Sequence, residues 1–162
     1  MKTLNFRLLL LAITVYSTLS GCGKEESHPL VVSSGERGGS SPQVISSEWF
    51  GANWEANSGV QQFVKTVPEL SSDFLTTGRV LVFGKGGFAR KSPTILASNF
   101  DANFIAADVR VDTIRLILEG SGSISPSLEF RYILIPSDQV VAANKLDYHD
   151  YNAVCDYYKI IK

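Results

Sequence analysis

From residue 43 onward, hydrophobic positions fall in short runs broken by Gly, Ser, Asn and Pro. Such spacing predicts strands rather than long helices. Residues 44–50, Val44-Ile45-Ser46-Ser47-Glu48-Trp49-Phe50, open the series, and residues 60–67, rich in β-branched side chains, follow. Residues 79–83 form a nearly continuous apolar run, the signature of a strand covered on both faces. Residues 94–97 add a short strand. Residues 104–111 and 113–119 predict an antiparallel pair turning at Asp112, and in the second of these Ile114, Leu116 and Leu118 alternate with Arg115, Ile117 and Glu119. In 128–135, Leu128, Phe130, Tyr132 and Leu134 alternate with Glu129, Arg131, Ile133 and Ile135, and Pro136 closes the strand. About seven short strands with turn residues between them predict a mainly-β domain, an antiparallel β-sandwich.

Two segments depart from the strand period. Residues 68–77 predict a short helix, with Pro68 suited to its first turn, Asp73 near its start and Gly78 just past its end. At the C-terminus, Tyr151, Val154, Cys155 and Tyr158 are spaced to share one helix face, with Asp147 as a cap and Lys159 and Lys162 at the far end.

The start of the chain follows a third pattern. Lys2 and Arg7 precede a twelve-residue, mostly apolar stretch, Leu8 to Leu19, which is short for a membrane-spanning helix. Small residues and a cysteine follow. Leu19-Ser20-Gly21-Cys22 resembles the lipobox of bacterial lipoproteins, at the expected distance from the start. That resemblance implies diacylglyceryl attachment to the Cys22 thiol, cleavage before Cys22 and a membrane tether rather than a catalytic thiol. The second position holds Lys2 rather than the glycine that myristoylation needs, and the chain carries no C-terminal prenylation motif, so eukaryotic lipidation signals are excluded. The resulting organisation is a signal peptide over 1–21, a lipidated Cys22 with a Gly/Ser-rich linker over 22–42, and one β-sandwich domain over 43–162. As a flexible coil, the twenty linker residues would give a typical standoff of about 25 Å. Within them, Lys24-Glu25-Glu26 resembles the surface-export signal of Bacteroidota lipoproteins, which favours the cell surface over the periplasmic face.

Composition narrows the function classes. The chain carries 15 basic and 16 acidic residues among 162. This balance argues against a nucleic-acid partner. Removing Lys2 and Arg7 leaves 13 basic residues against 16 acidic ones, a net charge of −3, so nothing electrostatic holds the mature chain flat on anionic lipid. Two Cys and two His are too few for a zinc ribbon, a disulfide framework or a multi-His metal centre.

The body also resembles a group of small lipoproteins, and lipoprotein-attached domains, of the Bacteroidota. The matching pieces are Trp49-Phe50 with Trp54 nearby, Pro68 to Gly78 leading into Val80 to Lys85, Ile114-Arg115-Leu116, Phe130 to Pro136, and Asp150-Tyr151-Asn152. This resemblance implies the lipoprotein architecture and brings neither an activity nor catalytic residues.

Candidate chemistry is sparse. His149 lies among Asp147, Tyr148 and Asp150, a set that would suit a metal or an oriented imidazole but equally suits a polar helix start. Cys155 falls on the apolar stripe of the C-terminal helix, six positions from His149, which points to a buried structural thiol. Gly84-Lys85-Gly86-Gly87 lacks the spacing of a phosphate loop and reads as a hairpin or flexible turn. His28 sits in the linker. Trp49, Phe50 and Trp54 offer either core rings or a ligand platform able to stack on sugars. These readings imply no cofactor and no metal. The expected function is a non-enzymatic, lipid-anchored binding or interaction module of the outer membrane, taking a glycan or a protein ligand. An accessory subunit of a larger envelope assembly is the alternative, and a hydrolase using Asp147, Asp150 and His149 is a more distant one.

Overall fold

The computed structural model describes residues 30–31, 43–57, 60–87, 90–100, 102–120 and 122–162. The segment 1–21, Cys22, Lys24-Glu25-Glu26 and His28 lie outside the described residues. Eleven strands are found among the described residues: β1 Leu30–Val31, β2 Ile45–Ser46, β3 Phe50–Gly51, β4 Glu55–Asn57, β5 Val60–Thr66, β6 Arg79–Gly86, β7 Arg90–Ile95, β8 Ser98–Phe100, β9 Asn103–Arg110, β10 Thr113–Gly120 and β11 Glu129–Ile135. All their pairings are antiparallel. The first sheet runs β1-β2-β11-β6-β7, with β3 also on β11, and the second runs β4-β5-β10-β9-β8. The mainly-β, sandwich-like architecture expected from the pattern is therefore present. Its extra strands are the short β1, β4 and β8 and a division of the first expected strand.

That division has a definite geometry. Ile45 and Ser46 face Leu134 and Ile133, whereas Phe50 and Gly51 face Phe130 and Glu129. One residue more lies between these pairs on the first segment than on β11, which defines a β-bulge at Ser47–Trp49. Ser47 holds it in place: its N–H donates to the Tyr132 carbonyl at 3.0 Å, and its Oγ accepts the Tyr132 N–H at 3.1 Å.

The alternation in β11 is consumed on both faces. Phe130, Tyr132 and Leu134 enter the core between the sheets with Ile105, Ile114, Leu116 and Leu118. Ile133 and Ile135 enter a second core, with Leu81 and Phe83 of β6, beneath the C-terminal segment 140–160. The molecule thus has three layers, and the apolar run of β6 is covered on both sides, as its sequence required.

Three helices are found among the described residues: α1 Ser72–Thr77, α2 Ser137–Ala142 and α3 Tyr151–Tyr158. α1 begins later than the expected Pro68, because the Ser71 hydroxyl caps it by accepting the Phe74 N–H at 3.1 Å. α3 buries the expected stripe of Tyr151, Val154, Cys155 and Tyr158. Its cap is Asp150, not Asp147: the Asp150 carboxylate accepts the N–H groups of Asn152 and Ala153. Lys159 closes the helix in the left-handed region at φ 58°. α2 was not expected.

The stretch expected to be a linker, interrupted only by the apolar Leu30-Val31-Val32, contains β1 at that interruption. Leu30 pairs with Ser46 and Val31 with Ile45, extending the first sheet by an edge strand. Leu and Val carry the strand preference that the surrounding Gly and Ser lack.

Candidate functional site

The three rings singled out in the sequence do not lie on one face. Trp49, Phe50 and Trp54 are all half-buried, yet Trp49 packs in the core under α2 and α3, while Phe50 and Trp54 pack in the core between the sheets. Trp49 is the last residue of the bulge and meets the Tyr151 ring at 5.5 Å. Two cations lie against its indole: Lys85 Nζ at 4.1 Å from the centroid, itself ion-paired to Glu129, and the Arg131 guanidinium at 5.8 Å. Phe50 sits among Phe63, Phe130 and Tyr132, at 6.0 to 6.4 Å between centroids. Trp54 meets Phe130 edge-on at 5.9 Å.

Arg131 is a buried cation that sequence reasoning did not mark. Its residue is 2% exposed, and among the described residues no carboxylate pairs with it. Neutral oxygens take its protons instead. Nε donates to the Ser47 carbonyl, and Nη1 donates to Tyr151 Oη and to the Ile161 carbonyl, each at 2.7 Å. One guanidinium therefore ties together the bulge, α3 and the C-terminal end. Burial pushes the Tyr151 phenol and the Cys155 thiol above their ordinary ranges. Cys155 is 1% exposed, in keeping with a structural thiol.

The carboxylates around His149 are occupied with backbone. Asp147 Oδ1 accepts the His149 N–H at 2.9 Å, Asp150 caps α3, and His149 itself is exposed. Among the described residues no hydrogen bond or ion pair joins either acid to the imidazole, and no group of three His, Cys, Asp or Glu is placed to hold a metal. Gly84-Lys85-Gly86 belongs to strand β6 rather than to the expected turn, which starts at Gly87, and Gly86, at φ 97°, lies so close to the Ser127 carbonyl that a Cβ there would overlap it. On the outer face of the second sheet, hydrogen bonds from Arg115 and then Arg110 hold the Asp108 carboxyl below its ordinary range.

The open space beside Trp54 has the geometry of a site. Two connections between the sheets meet there: residues 52–54, leading from β3 to β4, and residues 124–128, leading into β11. They enclose a cleft of about 610 Å³. The second connection turns at Ser125-Pro126-Ser127-Leu128, with Pro126 at the position that suits its fixed φ and Leu128 N–H returning to the Ser125 carbonyl at 3.2 Å. Asn53 and Ser125 supply the polar side chains of the wall, Trp54, Ile124 and Leu128 supply apolar ones, and no ionisable side chain among the described residues lines it. The sequence marked Trp54 but neither Gly51 nor the 124–128 turn, because some seventy positions separate the two walls. No helix among the described residues is long and apolar enough to cross a membrane. Comparison with protein-family models, with curated proteins and with solved structures gives no match to this chain.

Proposed function

We propose that this protein is a lipid-anchored, non-enzymatic binding module of the bacterial outer membrane, displayed on the cell surface. The observation that carries the reading is Leu19-Ser20-Gly21-Cys22 behind a charged start and a twelve-residue apolar core. Acyl chains on Cys22 supply the membrane affinity: each buried methylene contributes about 0.8 kcal/mol, and two or more chains hold stably where one does not. The pairing of Leu30–Val31 with β2 shortens the tether. Seven residues separate Cys22 from Leu30, so the eight steps between them reach at most about 28 Å. The first sheet's β1–β2 edge is then the part of the body nearest the membrane.

The outer face of the second sheet favours a second reading, an accessory subunit of an envelope assembly. Val60, Val64 and Phe104 are exposed there, at 38%, 51% and 37%. A particle larger than the monomer, extracted intact from membranes and dispersed by Val64→Lys, would support that reading.

The anchor is tested by fractionating cells that express Cys22→Ser. The wild-type protein is expected in the membrane pellet and the variant outside it. Equal pelleting of both would overturn the reading. Protease treatment of intact cells then reports the facing: loss of the body places it on the surface, and protection with digestion after lysis places it on the periplasmic side.

A further inference from the structure

Glycines usually answer a demand of the chain itself, and here most do. A Cβ at Gly78 would meet the Phe74 ring at 2.8 Å and the Ile135 carbonyl at 3.0 Å; at Gly84 it would meet the Phe100 ring at 2.8 Å; at Gly120 and Gly122 it would meet Asn103 or Ala102 at under 3 Å. Gly86 and Gly120 also have positive φ. Gly51 differs on both counts. A Cβ there meets nothing within 4 Å, and its φ is one that any residue adopts. It lies at the end of β3, opposite Glu129, on the wall of the Trp54 cleft. Neither packing nor conformation asks for glycine at this position. Gly51 lies just past the bulge and leaves the wall of the cleft open, with room for a ligand to approach the backbone there.

The walls indicate the chemistry of that ligand. A cleft of about 610 Å³ falls within the range of small-ligand sites. No ionisable side chain among the described residues lines it, so a charged ligand would lose hydration and gain no counter-charge. Asn53 is exposed and offers amide donors and an acceptor beside the half-buried indole of Trp54, whereas the hydroxyl of the buried Ser125 already bonds the Ser127 hydroxyl at 2.9 Å and accepts the Ser127 N–H. A flat apolar surface with neutral donors and acceptors at its rim complements a sugar ring, whose C–H face is apolar and whose edge carries hydroxyls.

We propose that this cleft binds a neutral saccharide, with one pyranose ring against Trp54, its hydroxyls toward Asn53, and its edge over Gly51. The proposal names the ligand class of the binding module above and rests on that reading, while its test does not depend on the anchor. The chain has two tryptophans, so Trp49→Phe leaves Trp54 as the sole indole reporter. The full protein, extracted in a detergent without a sugar headgroup, is titrated with maltohexaose, cellohexaose, xylohexaose and mannohexaose while Trp54 emission is followed. At least one is expected to give a saturable shift. Trp54→Ala removes the stacking surface but also a contact with Phe130, so Gly51→Phe supplies the decisive variant. It fills the cleft from an unencumbered position, and should weaken binding by about tenfold or more with an unchanged unfolding midpoint, as expected for blocking a central contact. No response to any of the four sugars, or undiminished binding in Gly51→Phe, would overturn the proposal. A protein that binds sugar yet does not pellet with membranes would retain this site and lose the anchor, and the opposite result would do the reverse.

Discussion

At the scale of single residues, the most consequential side chain is Arg131. A buried guanidinium without a carboxylate is costly to desolvate, and it persists here because three oxygens from distant parts of the chain accept its protons. Arg131→Leu would leave the Ser47 carbonyl, Tyr151 Oη and the Ile161 carbonyl without that donor. Each buried orphan costs about 1–3 kcal/mol, offset in part by removal of the charge. The expected outcome is a loss of about 3 kcal/mol in urea unfolding. Arg131→Lys should also destabilise, because a single ammonium cannot reproduce the fork that reaches all three acceptors. Unchanged or greater stability in Arg131→Leu would mean that the buried charge is a net cost. The sequence showed Arg131 only as the polar partner in an alternation, since an arginine opposite Phe130 and Tyr132 ordinarily points to solvent. It is buried because a helical layer covers that face.

At the scale of elements, capping separates two aspartates three positions apart. Asp150 accepts two N–H groups of the first turn of α3, whereas Asp147 closes a local turn before it. Asp150→Ala should lower stability by about 1 kcal/mol and Asp147→Ala by appreciably less, read from denaturant midpoints. Equal effects would contradict the assignment of the cap. The buried stripe of α3 was legible because a helix face repeats every three or four residues. The cap was not, because either aspartate could precede Tyr151 by a plausible turn. The long strands β5, β9, β10 and β11 and the first part of β6, residues 79–83, were legible from β-branched content, a pair of apolar runs around Asp112, alternation or a continuous apolar run, whereas the glycines of 84–86 hid the rest of β6. The bulge left no trace, since one inserted residue in 44–50 changes no composition. β1, β4 and β8 have two or three residues each, and α2 has six, too few to establish a period.

At the scale of the whole molecule, the three layers explain what became of the aromatic set. Adjacent residues in a strand point to opposite faces, and each face of the first sheet here is a core. Trp49 and Phe50 accordingly fall into different cores, and of the three rings Trp54 borders the cleft. The cleft itself was invisible in the sequence, because it forms only where two sheet-to-sheet connections meet at one end of the sandwich. The segment expected to tether the body lies outside the described residues apart from β1, so the anchor rests on residues 1–22 as sequence. The measurement that tests it most directly is the intact mass of the protein extracted from membranes. The account predicts residues 22–162 plus a diacylglyceryl group on Cys22, with or without a further acyl chain on its amine. A mass equal to residues 1–162, or to any truncated chain with an unmodified Cys22, would contradict it.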